Sequence, residues 1–220
     1  MFFVPTLRAL SRAGVHVHLL CLSAGIGGPS VGRAVELRAA AATLGIAAAA
    51  VVVLDDARLR DGFEHAWDAG VVAAAVASGV AACGARLVVG FDSAGVTAHP
   101  NHIAAAAGLR VYAARRGAAP CYALESVAAP RRLVGGLLDV PLSALLHCAR
   151  GMCDARPPRM GPRRVLLVHW LGPLAAHGAM RAHASQYVWY RVLWVAFSRY
   201  VWVNSLVLVE GERSEEAHDD

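Results

Sequence analysis

A chain of 220 residues with 57% hydrophobic content can bury one sizeable core, and its length does not demand a second domain. The formal charge of +5 hides a division: Glu210 to Asp220 holds six acids against Arg213, while the preceding 209 residues carry twenty arginines against ten acids. A basic body suits phosphate-bearing partners; its arginines are dispersed and not interleaved with aromatics, which points away from nucleic acid and toward a lipid head group or a phosphorylated sugar.

All 21 cationic side chains are arginine and alanine is abundant, a coding bias that empties the alanine runs of functional meaning. Five scattered cysteines with no C-x-x-C pair argue against a disulfide framework or a thiolate zinc site and for a reducing environment. No charge-free apolar stretch reaches the ~18 residues of a spanning helix. Ala39 to Leu54 comes closest, but a Leu-Gly break interrupts it. The start lacks the basic region and cleavage site of a signal peptide.

In chain order, the alternation of Val15 to Cys21 predicts a strand feeding a glycine-containing loop, Ser23 to Gly32, and then a helix over Arg33 to Leu44. Val51 to Leu54 predicts a second strand ending at Asp55 and Asp56, and Trp67 to Ala82 a second helix. Leu87 to Phe91 is the third strand, with a helix from His99 to about Ala107 behind it. Repetition of strand, loop and helix is the signature of an α/β fold with a parallel sheet covered on both faces.

Tyr122 to Val127 predicts another strand, and the proline- and arginine-rich Arg150 to Arg164 a surface loop. Arg164 to His169 predicts a strand and the residues from about Pro173 a long helix. Asn204 to Val209 closes as a strand before a disordered acidic tail, 210–220. Tyr187 to Trp202 sets Arg191 and Arg199 among aromatics, which suits either an interfacial helix or a core helix.

The segment Phe91 to Ala104, FDSAGVTAHPNHIA, ends one buried strand and opens a helix. His99 and His102 lie three residues apart, on one helical face, and neutral imidazole is the commonest zinc ligand. Ligands gather beyond the carboxyl ends of strands in open α/β sheets, where this pair falls. Two histidines cannot close a metal shell, which needs at least three donors.

Taken together, MFFVPTL, HLLCLSAG, GRAVEL, FDSAGVTAHPNHIA, LLDVPLS, HASQ and FSRYVWVNSL resemble the PIG-L/LmbE-like de-N-acetylases, with the eukaryotic branch of GPI-anchor biosynthesis nearest. The resemblance covers Met1 to about Val209. It implies a three-layer Rossmann-like LmbE-type fold with a mostly parallel sheet, and a hydrolase removing the N-acetyl group of N-acetylglucosaminyl-phosphatidylinositol (GlcNAc-PI) with Zn2+ or another divalent metal. By position it implies that His102 is a metal ligand and that His99 aids the oxyanion or the leaving amine. Asn101 stands where relatives carry aspartate, beside the ligand. Arg33, with Glu36 able to hold it, would bind the substrate phosphate. Asp56 would lie near the sugar, His183 and Gln186 would close the site, and Asp92 would order the loop before His99.

Relatives carry an A-H-P-D-D-E element immediately before the segment that here begins MFFVP, and it supplies two metal ligands and the general base. Its absence from these residues implies a sheet without its first strand, weak zinc binding and an inactive polypeptide. The implied setting is the cytosolic face of the endoplasmic reticulum membrane. The alternatives are an inactive member acting as a binding or regulatory subunit, and a deacetylase of a soluble amino-sugar conjugate.

Overall fold

The computed structural model describes residues 1–25, 30–153 and 162–210. In chain order the elements are α1 (Val4–Arg12), β1 (Leu19–Cys21), α2 (Ser30–Thr43), β2 (Val51–Val53), α3 (Ala69–Cys83), β3 (Val88–Phe91), α4 (Gly95–Ala98), α5 (Pro100–Ala113), β4 (Cys121–Leu124), α6 (Ala129–Arg132), α7 (Gly135–Cys153), β5 (Arg164–Val168), α8 (Gly172–Ala182), α9 (Trp189–Phe197) and β6 (Val203–Leu208).

The architecture is α/β in three layers, with the strands in two groups. β1 and β2 pair in parallel, Leu19 opposite Val51. The larger sheet has the order β3-β4-β6-β5. Within it β3 and β4 are parallel, and β6 runs antiparallel to both of its neighbours. Three of its four strands therefore point one way. No ladder joins β1 to β3 among the described residues.

One helical layer lies under both groups. Val72 and Val76 of α3 bury against Leu109 and Tyr112 of α5, and the same cluster takes in Leu22, Leu54 and Val88. Gly108 permits this approach, because a Cβ there would overlap the Val72 side chain. The other layer packs Val4 of α1 with Ala40 of α2 and Leu44 just after it, Ala176 and Ala179 of α8, and Val195 of α9.

Helix boundaries follow local chemistry. Asp68 caps α3 by accepting the Val71 N–H, and Gly84 ends it in the left-handed region at φ 63°. His99 caps α5 and Pro100 occupies its first turn, where a missing N–H costs nothing. The helix runs to Ala113, six residues past the expected end, because Leu109 and Tyr112 bury against α3.

Several expectations need correction. The first strand is only Leu19–Cys21, since β2 offers three partners, and Val15 and His16 are exposed. The glycine-containing loop ends earlier than Gly32, because α2 already begins at Ser30; 26–29 lie outside the described residues. Arg150 to Cys153 form the last turn of α7 and not a loop. The remainder of that stretch up to 161 lies outside the described residues, as does the expected disordered tail beyond Glu210.

The long helix from Pro173 is two helices, broken where His183 and Tyr187 take non-helical ψ values of 59° and 62°. Tyr187 to Trp202 therefore divides: α9 keeps an exposed face, whereas Arg199, Tyr200 and Val201 are wholly buried. Arg199 is a core residue. Its Nε donates to Asp139 at 2.5 Å and its Nη2 to Ser143 at 2.8 Å, while Arg131 Nε donates to the other Asp139 oxygen at 2.6 Å. Asn204, also buried, accepts from the Thr6 hydroxyl and donates to the Phe2 carbonyl, tying the start of the chain to β6.

Candidate functional site

The carboxyl ends of β1, β2 and β3 open on one region. Leaving β3, Asp92 accepts the backbone N–H groups of Ala94 and Gly95 with Oδ1, and the Ser126 N–H and hydroxyl with its two oxygens. These bonds tie the loops after β3 and β4 together. The loop then passes through Gly95, Val96 and Ala98 at φ 59°, 63° and 58°. Two non-glycine residues in the left-handed region cost of order 1–3 kcal/mol each, strain of the kind that surrounding structure must hold in place. Here Ser126 holds it by accepting the Val96 N–H at 2.8 Å.

The two histidines have opposite tautomers, set by their backbone partners. His102 Nδ1 lies 3.1 Å from the Gly95 carbonyl, which can only accept, so Nδ1 carries the proton and Nε2 keeps a free lone pair. His99 Nδ1 accepts the Asn101 N–H at 3.3 Å, so its Nε2 is the protonated donor. The His102 ring stacks on Phe91 at 4.0 Å and meets the edge of Phe2 at 5.6 Å. Burial holds the His102 pKa below the ordinary histidine value, with the nearby His99 acting in the same direction, so the neutral ring is favoured.

Asn101 is buried beside this pair and donates to Asp61 through Nδ2, while its Oδ1 has no partner among the described residues. Asp61 belongs to the loop after β2, as does Phe63, whose ring lies 5.1 Å from His99. That loop lines an open cavity of about 430 Å³ with Ser23, Gly25, Asp55, Asp56, Asp61 and His65. Asp56 reaches the cavity wall, but its carboxylate is committed to Arg58, whose N–H and Nε bond one oxygen and whose Nη2 bonds the other at 2.7 Å. Those bonds hold its pKa down at about 2.

A second group faces the first. Arg33 lies against Gly25, whose φ of +85° and lack of a Cβ leave room for the guanidinium. Glu36 accepts the N–H and hydroxyl of Ser185 and lies 3.8 Å from His183 Nε2. The Glu36 carboxylate clamps the HASQ turn, and the Arg33 charge lies near enough to help lower its pKa. The Ser185 hydroxyl is the largest cause of the lowered Glu36 pKa. Burial holds His183 below the ordinary histidine value, against the pull of Glu36. Met1 sits between the two groups, its backbone nitrogen within electrostatic reach of His102, His183 and Arg191.

The structure thus brings His99, His102, Asn101 and Asp92 together, sets Arg33 and His183 across from them, and leaves Asp56 at the rim of the cavity. Sequence reasoning missed Asp61 and His65. The available signal was the Asp61-Gly62 turn shortly after the acidic end of β2.

The PIG-L family, GlcNAc-PI de-N-acetylase, matches residues 1–113. The N-acetylglucosaminyl-phosphatidylinositol de-N-acetylase of Bos taurus is 35% identical over 211 residues, spanning 94% of this chain and 77% of the relative. The chain belongs to the PIG-L family. A probable enzyme of the same name from Schizosaccharomyces pombe is 30% identical over 94% of this chain and 80% of its own length. A solved deacetylase triple mutant from the teicoplanin biosynthetic pathway superposes with a TM-score of 0.52, at 14% identity, over 98% of this chain and 93% of that one. That likeness establishes the fold.

The metal expected of a PIG-L protein is testable against the donor set. Among the described residues no three His, Cys, Asp or Glu side chains gather closely enough to hold an ion. His102 Nε2 is a well-prepared single donor, and His99 presents an N–H on the corresponding side. The described donors do not fit a closed tetrahedral shell. Cys21, Cys83, Cys121 and Cys148 are free thiols, and burial raises Cys121 to about 11, so it contributes no thiolate.

Proposed function

We propose that this PIG-L chain is an N-acetylglucosaminyl-phosphatidylinositol de-N-acetylase of GPI-anchor biosynthesis, acting at the cytosolic face of the endoplasmic reticulum membrane with Zn2+ or another divalent ion. The observation that carries the reading is the start of α5, where two histidines with complementary tautomers stand beyond the strand ends in a chain whose relatives bear that enzyme's name. The reaction adds water across the acetyl amide, releasing acetate and a free glucosamine nitrogen.

In this reading His99 Nε2–H donates to the oxygen that gains charge or to the departing nitrogen. Arg33 meets the substrate phosphate, with Glu36 and Ser185 fixing the turn that carries His183 across the site. Asp61 holds Asn101 and faces the sugar-sized cavity. His102 offers one ligand to the metal. The described residues do not complete its shell, so the 220-residue polypeptide is expected to bind zinc weakly and to turn over little or no substrate. The same shortage of donors supports a second reading, a family member that serves as a binding or regulatory subunit.

The test is to measure bound zinc, GlcNAc-PI binding and acetate release with the purified 220-residue polypeptide, on lipid-linked and soluble N-acetylglucosaminides. Preferential binding of the lipid-linked substrate, little zinc and no acetate is the expected pattern. Stoichiometric zinc with rapid turnover would overturn the donor argument, and preference for the soluble glycan would overturn the membrane assignment.

A further inference from the structure

The exposed face of α9 has no use in the site described above. Trp189, Tyr190, Leu193 and Phe197 fall on one side of this helix, each with 49–75% of its surface exposed, while Val195 on the opposite side is wholly buried against α8. Trp170 and Leu174, at the start of neighbouring α8, are 65% and 70% exposed. Isolated exposed apolar residues are ordinary; a tryptophan, a tyrosine, a leucine and a phenylalanine on one short helix are a patch that needs an occupant.

Charge selects among the occupants. From Trp170 to Phe197, the span that carries this face, the sequence has no aspartate or glutamate. Arg181 stands exposed at the end of α8, two turns beyond Leu174, whereas Arg191 of α9 is half-buried and bonds Gln186. A second copy docked face to face would offer Arg181 no counter-charge from this span. An anionic bilayer would meet it with opposite charge and take the apolar rings below its head groups, the arrangement that interfacial aromatic helices adopt. Among the described residues no helix is long and apolar enough to cross a membrane, so such contact would lie along the surface.

We infer that the α9 face, with the start of α8, docks this protein on an anionic lipid bilayer. The face adjoins the site: Arg191 donates to the Gln186 carbonyl at 2.8 Å, and the neighbouring Ser185 is the residue held by Glu36. Docking places the HASQ turn and Arg33 at head-group level, where a lipid-linked sugar is presented. This consequence rests on the lipid-substrate reading above, whereas the docking itself rests on the face.

The experiment is cosedimentation of the purified chain with phosphatidylcholine vesicles, with and without phosphatidylserine, for the wild type and the variant Trp189→Gln/Leu193→Gln/Phe197→Gln. All three positions are exposed, so circular dichroism and melting should match wild type. Wild type should bind the phosphatidylserine vesicles and release in high salt, and the variant should bind roughly tenfold or more weakly. Equal binding by the variant, or no binding by wild type, overturns the inference. A wild-type dimer in light scattering that the variant converts to monomer assigns the face to a second copy and overturns it as well. Binding of a soluble GlcNAc-inositol-phosphate glycan, measured in parallel, reads the substrate assignment separately.

Discussion

Replacing Asp139 by asparagine removes the anion to which both Arg199 and Arg131 donate in the core. Asp139 and Arg199 are both wholly buried, and the carboxylate accepts from Arg199 at 2.5 Å, Arg131 at 2.6 Å and the Ser143 hydroxyl at 2.6 Å. Burial alone would raise its pKa; the hydrogen bonds from Ser143, Arg199 and Arg131 outweigh that and hold it below the ordinary value. The variant leaves the Arg199 charge in the core without its counterion, with Arg131 beside it. Breaking such a pair on one side costs about 3–5 kcal/mol, a large part of the ~5–15 kcal/mol that stabilises a domain. For a chain of this length that corresponds to a fall in Tm of roughly 6–20 °C.

The assay is urea or thermal unfolding followed by circular dichroism. A loss under ~0.5 kcal/mol would refute the reasoning, because it would place Asp139→Asn among ordinary surface changes. The double variant Asp139→Leu/Arg199→Met removes both charges and should recover at least half of the loss. The sign with pH is fixed as well. A carboxylate with a depressed folded pKa contributes its full stability above the unfolded value near ~4, and loses it as pH falls through the folded pKa. The wild-type advantage should therefore be constant at neutral pH and shrink in acid.

Gly95→Ala should destabilise the chain by about 1–2 kcal/mol and disturb the His102 ring, since φ is 59° and the new Cβ would lie 2.9 Å from His102 Cβ; histidine NMR shifts and unfolding read the two effects. Gly172→Ala should cost at least ~2 kcal/mol in the same unfolding assay, because its Cβ would overlap the Val201 carbonyl. Glu36→Ala should loosen the HASQ turn, seen as faster amide exchange at Ser185 and its neighbours with global stability changed by less than ~1 kcal/mol.

Much of the first half of the fold was legible because its strands are short apolar runs followed by turn residues, and because Asp68, Gly84 and His99 punctuate the helices. The position of His99 and His102 beyond β3 followed from the same pattern. α7 was not legible, since Pro141 inside it reads as a breaker while tertiary packing of Val140 and the Asp139 cluster keeps the helix intact. α9 and the turn after it merged into one aromatic segment, because composition does not separate an exposed Trp189 from a buried Tyr200. The Glu36 clamp on Ser185 spans 149 residues, and no local signal reports such a contact. The tautomers of the two histidines depend on which backbone atoms the strained 95–98 turn supplies, and that geometry appears only in three dimensions.

The central claim is that this chain recognises GlcNAc-PI at a site that includes the His99 and His102 pair, while its described donors are too few to close a metal shell. The most direct measurement incubates the purified 220-residue polypeptide with GlcNAc-PI in mixed micelles and with a soluble N-acetylglucosaminide, following binding and acetate release together. The account predicts preferential binding of GlcNAc-PI with little or no acetate released. Preference for the soluble glycan, or rapid acetate release, would contradict it.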